Sequence, residues 1–186
     1  MDVSEARELA RRLLEEPLPR RWAHSQGVAA RAESLAPILG DDAGLVQCAA
    51  WLHDIGYAPQ IADTGFHPLD GARYLRDTIH ADRRLCDLVA HHSCALIEAQ
   101  ERSLQRELAS EFTVEGEALV QALIYCDMTT TPHGGQTTTE ERIKEILSRY
   151  GPDHVVTRSI TRAAPTLTSA SHAVAARLAH ARAAKR

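Results

Sequence analysis

Apolar side chains recur at the spacing of an α-helix along most of the chain, whereas the alternation typical of half-buried β-strands is scarce. The apolar positions between residues 45 and 55 share one face of a predicted helix that ends at Gly56. Those between residues 28 and 39 share one face of a preceding predicted helix that stops at Gly40. The pattern therefore predicts an all-α fold.

Helical spacing continues to the C-terminal region, and the predicted helices are separated by segments rich in glycine, proline and threonine. One helix is predicted to begin at His67-Pro68, because proline suits the first helical position. The other predicted helices cover residues 114–128, 138–150, 153–162 and 166–184. No internal repeat or linker is evident in this pattern.

We therefore expect a single helical domain over residues 1–186, a size that can bury a substantial core. The helices within 151–186 would pack on the part of the domain formed by about residues 20–150. The alanine-rich tail from about Pro165 suits packing on the core and pairing with a second copy equally well, so a homo-oligomer stays an open alternative.

Composition narrows the class of protein. A net charge of −4 argues against binding a nucleic-acid polymer, whose phosphate backbone attracts basic surfaces. The four cysteines are far apart and form no Cys-x-x-Cys pair, which predicts free thiols in a reducing compartment. The charged first residues argue against a secretory signal, and the lack of a long apolar run argues against a membrane span. We expect a soluble cytoplasmic protein.

Residue types that bind metal ions are distributed one or two per predicted helix. Imidazole and carboxylate groups suit iron, manganese, zinc and similar cations, and helix ends in a bundle can converge on one cavity. An unpaired carboxylate is costly at Asp127, which ends an apolar run, although pairing with an arginine is an alternative reading. The candidate ligands are His24, His53, Asp54, His67, His91, His92 and Asp127.

The ordered set His…His-Asp…His…His…Asp resembles the HD superfamily of metal-dependent phosphohydrolases over roughly residues 20–150. The resemblance includes the residues that surround each candidate ligand. The His-Pro-x-x-Gly element, for example, is similar to that of family members with two metal ions, including the HD-GYP cyclic-dinucleotide phosphodiesterases. The matching contexts are Trp-Ala-His24-Ser-Gln-Gly, His53-Asp54-Ile-Gly, His67-Pro-Leu-Asp-Gly, Val-Ala-His91-His92-Ser and Tyr-Cys-Asp127. The resemblance implies a helical bundle with a metal site between its helices.

The resemblance also implies which residues bind metal. The basic set would be His24, His53, Asp54 and Asp127. His67 and one of the pair His91-His92 would complete a second site with Asp54 bridging the ions, and the spacing slightly favours His92. The implied cofactors are two divalent ions, iron or manganese first, with zinc, magnesium, nickel and cobalt as alternatives.

Two positions depart from the family pattern. Arg20 stands where trinuclear relatives have a glutamate, so a third metal ion is not expected. Tyr57 stands where many members have a lysine after His-Asp-Ile-Gly, so a phosphate contact made by that lysine is missing or supplied elsewhere.

The implied activity is hydrolysis of a small phosphate ester, a nucleotide or a phosphodiester, by a metal-activated bridging hydroxide. His53 and Asp54 would form the catalytic centre, where Asp54 also orients or deprotonates the nucleophile. A mixed-valent di-iron oxygenase uses much the same ligands and is one alternative, and a non-catalytic metal-stabilised regulatory domain is another.

Arginine side chains are candidates for binding the phosphate of the substrate. The alternative is that they lie on solvent-exposed faces of helices. The candidates are Arg20, Arg21, Arg73 and Arg102. Thr129–Thr131 could contact the substrate or serve in a turn.

Overall fold

The computed structural model describes residues 1–184, and the regular elements in that range are helices and one isolated β-bridge between Thr130 and Gln136. The predicted all-α fold is confirmed. Lys185 and Arg186, the last residues of the predicted domain, lie outside the described residues. The helices are α1 (Val3–Leu14), α2 (Pro19–Glu33), α3 (Ala36–Leu39), α4 (Ala43–Leu52), α5 (His67–Asp77), α6 (Arg83–His91), α7 (Ala95–Glu101), α8 (Gln105–Glu111), α9 (Glu117–Met128), α10 (Thr139–Arg149) and α11 (Val155–Ala183).

The chain breaks between α2 and α3, where the pattern predicts one helix over residues 28–39. Pro37 has no N–H to donate to the carbonyl of Glu33, and it disfavours a helical conformation in the residue before it. The N–H of Leu35 donates instead to the carbonyl of Ala32, 3.0 Å away, which tightens and ends the helix. The predicted continuous helix is wrong, although Leu35 is fully buried as its apolar position suggests.

The opposite occurs in the C-terminal region, where α11 is one helix and the pattern predicts two, over residues 153–162 and 166–184. Pro165 lies inside α11. The helix continues through the proline because Ala163 and Leu167, on either side of it, are both buried in the same apolar cluster. Burial on both sides outweighs the hydrogen bond that proline removes, so the predicted break is wrong.

The buried apolar side chains form two clusters. The main cluster joins α1, α2, α4, α5, α6 and α9 and includes Val28, Leu52, Leu88 and Leu123. The small cluster lies between α9, α10 and α11 and consists of Ile124, Met128, Ile146, Ala163, Leu167 and Ala170. Helix α11 belongs to both, since its later residues Val174 and Leu178 enter the main cluster.

The four cysteines, Cys48, Cys86, Cys94 and Cys126, are free thiols, as their spacing predicts. Among the residues described, no helix combines the length and apolar character that crossing a membrane requires.

Candidate metal centre

Six of the seven predicted ligands meet in two groups of three. In each group, one ligand atom from every residue lies within 4.8 Å of the others. The first group is His24, His53 and Asp127, and the second is Asp54, His67 and His92. Most of these residues lie at helix ends: His53 and Asp54 follow α4, His67 begins α5, His92 follows α6, and Asp127 lies in the last turn of α9.

The end of α6 places two polar side chains in the site. His92 has an extended backbone, and Ser93 and Cys94 then adopt left-handed conformations with φ of 47° and 63°. Such conformations are unfavourable for residues other than glycine and are common at functional sites. The turn brings the Ser93 hydroxyl to Asp127, where it donates a hydrogen bond to Oδ2.

A glycine brings His67 close to Asp54. The turn that follows Asp54 packs against the first turn of α5, and a Cβ built on Gly56 would lie 2.0 Å from the carbonyl oxygen of His67. Real Cβ atoms do not approach so closely, so this contact requires glycine. The His-Asp-Ile-Gly and His-Pro-x-x-Gly segments are thus pressed together through Gly56 and Gly71.

The loop after α9 orients His24. The carbonyl oxygen of Thr131 lies 3.0 Å from His24 Nδ1, and Gly134, with φ of +80°, packs so tightly on α2 that a Cβ there would lie 2.4 Å from the Ala23 carbonyl oxygen. The hydroxyls of Thr129 and Thr130 donate to carbonyls one turn earlier in α9. The threonine segment therefore ends a helix and supports a ligand, in agreement with a turn role.

Backbone carbonyls also fix the protonation pattern of three histidine rings. A carbonyl oxygen can only accept a hydrogen bond, so the ring nitrogen facing it carries the proton, and the other nitrogen of the neutral ring presents a lone pair. The distances from Nδ1 to the carbonyl oxygen are 3.0 Å for His24 with Thr131, 2.9 Å for His53 with Ala50 and 2.7 Å for His92 with Val89. In each ring Nε2 is therefore left as a metal-binding atom.

Two of these Nε2 atoms face another candidate ligand atom. His24 Nε2 lies 3.0 Å from Asp127 Oδ1, and His92 Nε2 lies 3.1 Å from His67 Nε2. The buried Nε2 of His53 has no hydrogen-bond partner among the described residues. Clustered acceptors without donors are unfavourable unless a cation or proton lies between them. The donor set therefore fits a divalent metal ion of borderline or hard character.

The two carboxylates are in the charge state that metal binding requires. Burial opposes ionisation of Asp54, but the guanidinium of Arg21 favours it, and the pKa of Asp54 lies well below its ordinary value. Burial likewise opposes ionisation of Asp127, but a proton shared with His24 in the metal-free site and the charge of Arg142 hold the pKa of Asp127 below its ordinary value. Both side chains are anionic at neutral pH.

The imidazoles of His53 and His67 are neutral at neutral pH. Burial is the largest influence on both rings and lowers the pKa of each, and for His67 the pKa falls well below its ordinary value despite the nearby charge of Asp54. Neutral imidazole is the form that binds metal ions, so no proton has to be displaced from these rings.

His91 lies outside both groups. Its Nε2 lies 3.1 Å from the carbonyl oxygen of Phe112, to which it donates a hydrogen bond, and burial lowers its pKa. It connects the end of α6 to the end of α8. The structure therefore separates His91 from the other six predicted ligands, and of the pair it is His92 that joins them.

Arg21 and Tyr57 cover one side of the second group. Arg21 Nη1 donates to Asp54 Oδ2 over 2.8 Å, and its guanidinium lies 3.9 Å above the ring of Tyr57. The same tyrosine ring stacks on His67 with 3.9 Å between ring centroids. The stack of Arg21, Tyr57 and His67 places a guanidinium beside Asp54. This cation lies close to Tyr57, the position where the family pattern has a lysine.

Of the four arginines predicted to bind phosphate, Arg21 is the one that lines a cleft beside the two groups. Arg73 is bound to Glu111, Arg102 to Glu98, and Arg20 is exposed on α2. The other three arginines are therefore paired with glutamates or exposed to solvent, which agrees with the alternative that they lie on solvent-exposed helix faces.

The cleft has one polar wall and one mixed wall. Four of the six grouped ligands line the polar wall together with Arg21 and Ser93, and α10 and α11 provide the other wall. The four are Asp54, His67, His92 and Asp127. Sequence reasoning did not identify Ser93, whose only signal is its place after His91-His92, or the arginines of α10, which lie among many other charged residues. The mixed wall consists of Arg142, Ile146, Arg149, Tyr150, Val156 and Ile160.

The model of the HD domain family matches residues 21–143, a segment that contains all six grouped ligands. Neither a curated protein nor a solved structure shows a significant match to the chain. The matched segment is about two thirds of the sequence. The chain therefore belongs to the HD domain family, whose members are mostly metal-dependent hydrolases that bind divalent metal ions.

Proposed function

We propose that the protein is a metal-dependent phosphohydrolase that cleaves a small phosphate ester, such as a nucleotide or a phosphodiester, with two divalent ions. The observation that carries this proposal is the set of Nε2 atoms that face the anionic Asp54 and Asp127 in the buried site. Ions bound there supply an activated water and polarise a phosphoryl oxygen.

His24, His53 and Asp127 would hold one ion, and Asp54, His67 and His92 the other. The geometry of Asp54 supports a bridging role, because its two oxygens face different groups. Oδ2 lies 3.6 Å from His53 Nε2, and Oδ1 lies 3.5 Å from His67 Nε2. One carboxylate can thus contribute to both sites and orient the nucleophile between them.

The cleft indicates a small substrate. Its volume of about 100 Å³ is below the roughly 300–1,000 Å³ of sites that enclose a drug-sized ligand. It therefore suits the phosphate and the adjacent part of an ester. Arg21, whose planar guanidinium matches phosphate oxygens, is placed to exchange its bond with Asp54 for one with the substrate.

The test is hydrolysis of a panel of nucleotides and phosphodiesters by purified protein loaded with manganese or iron. Cleavage of at least one substrate, to free phosphate or to a phosphomonoester, is expected from the wild type and from Asp41→Ala, an exposed control, and not from an Asp54→Ala variant that remains folded. Metal-loaded wild type that cleaves no phosphate ester would contradict the proposal, and oxygen consumption by its iron form would favour the oxygenase.

A further inference from the structure

A pair of arginines on α10 lines the same cleft as Arg21. Arg142 Nη1 contacts Glu145 Oε2, and Arg149 Nε lies 3.1 Å from the other oxygen of the same carboxylate. Both arginines line the cleft. One glutamate thus faces two guanidinium groups, and the three side chains keep one unbalanced positive charge.

Arg142 is short of hydrogen-bond acceptors. Its side chain is only 6% exposed, and its buried Nε has no partner within residues 1–184. A guanidinium carries five N–H donors, and leaving a buried donor unsatisfied costs about 1–3 kcal/mol. An arginine held in this state on the wall of a cleft is suited to an acceptor that comes from outside the protein.

Arg142 also lies close to the candidate ligands. The grouped ligands Asp54, His92 and Asp127 line the same cleft as Arg142. The apolar side chains of Val156 and Ile160 line the cleft as well. Charged hydrogen bonds are stronger in such surroundings than in open solvent.

We propose that Arg142, together with Arg149, forms an anion subsite that binds phosphate oxygens of the substrate from the α10 wall of the cleft. The inference rests on the proposed phosphohydrolase function. While no substrate is bound, Glu145 accepts some of the hydrogen bonds that the two guanidinium groups can donate. When substrate is present, the planar guanidinium of arginine can bind a phosphate through two parallel hydrogen bonds.

The test is calorimetric titration of inorganic phosphate into the purified protein, both metal-free and with manganese. Arg142→Gln is expected to weaken phosphate binding about tenfold or more. Glu145→Gln removes the competing carboxylate and is expected to tighten binding several-fold. Arg177→Gln is the matched control, because Arg177 Nε is also buried without a partner, but its side chain bonds to Gln121 on α9 and does not line the cleft.

Three results would overturn the subsite: phosphate affinity unchanged in Arg142→Gln, equal losses in Arg142→Gln and Arg177→Gln, and no phosphate binding by the wild type in either form. Far-UV circular dichroism and thermal unfolding check that the Arg142 variant folds. The gain expected for Glu145→Gln cannot arise from misfolding.

Hydrolysis is measured separately, so that the two proposals fail in different ways. Phosphate binding that depends on Arg142 without turnover of any ester would keep the subsite and remove the hydrolase. Turnover with a KM that Arg142→Gln leaves unchanged would keep the hydrolase and remove the subsite. If both hold, Arg142→Gln raises KM more than it lowers kcat.

Discussion

His24 Nε2 lies 3.0 Å from Asp127 Oδ1, although 103 residues separate the two in the chain. Because His24 Nδ1 donates to the carbonyl of Thr131, the atoms that face each other are a lone pair and an anionic oxygen. Two acceptors at this distance repel each other unless a cation or a proton is shared between them. This contact is the strongest structural argument that the site binds a cation.

Asp127→Asn tests that argument. The amide nitrogen can donate to His24 Nε2 while the amide oxygen keeps the hydrogen bond from Ser93, so the acceptor repulsion disappears. We expect the variant to lose the ion of the first group and the metal-free form to unfold at a higher temperature than the metal-free wild type. Elemental analysis and thermal unfolding measure the two effects. Wild-type metal content in the variant would contradict the assignment.

Replacing each member of the histidine pair by alanine separates the roles of His91 and His92. His92→Ala should lose one ion per chain relative to the wild type. His91→Ala should keep its metal but lose about 1–3 kcal/mol in the free energy of unfolding, because the carbonyl of Phe112 loses its buried donor. Metal content and urea unfolding are measured on both. Loss of metal from His91→Ala alone would reverse the roles.

Gly56→Ala tests the contact between the turn after Asp54 and the start of α5. The new Cβ would meet the carbonyl of His67, so His67 must move away from Asp54. We expect a loss of about 1–3 kcal/mol in the free energy of unfolding and weaker binding of the ion at the second group. Gly44→Ala, in α4 with open space around it, is the control and should be neutral or slightly stabilising. Equal behaviour of the two variants would disprove the steric argument.

Glu111→Gln is expected to show a pH-dependent effect on stability. Hydrogen bonds from Arg73 outweigh partial burial and lower the pKa of Glu111 below its ordinary value of about 4.5, and Arg76 adds to this. The stabilisation is present above that ordinary value and is lost as the pH falls through the lowered pKa.

At pH 7 the Glu111→Gln variant should therefore be less stable than the wild type by about 1 kcal/mol, and the difference should shrink in acid. Urea unfolding at several pH values measures it. Glu107→Gln is the control, because Glu107 is more exposed and 3.5 Å from Arg73, so its change should stay small at every pH. A Glu111 effect that is independent of pH would show that the charge is not its cause.

The sequence was sufficient to predict the helical fold and the set of residues that gather, because imidazole and carboxylate groups at the ends of apolar helices are uncommon without a function. It could not decide between His91 and His92, since that depends on where α6 ends and on the left-handed turn at Ser93. It gave no sign of Arg142, whose burial depends on how α10 packs against α9 and α11.

Two prolines show why helix boundaries were harder to predict than the fold. Pro37 lies in α3, which has no fully buried residue, so packing does not compensate for the missing hydrogen bond and the helix breaks. Pro165 is flanked by buried Ala163 and Leu167, and the helix continues. The local chemistry of proline is the same in both places, and tertiary packing decides the outcome.

Pro165 removes one hydrogen bond from the middle of α11, because it has no N–H to donate to the carbonyl of Thr161. Val156 and Ile160, on the cleft wall, precede this position, whereas Val174 and Leu178 hold the later part of α11 in the main cluster. The burial of Ala163 and Leu167 keeps the two parts in one helix. The shape of the cleft therefore depends on packing around a proline that does not itself line the cleft.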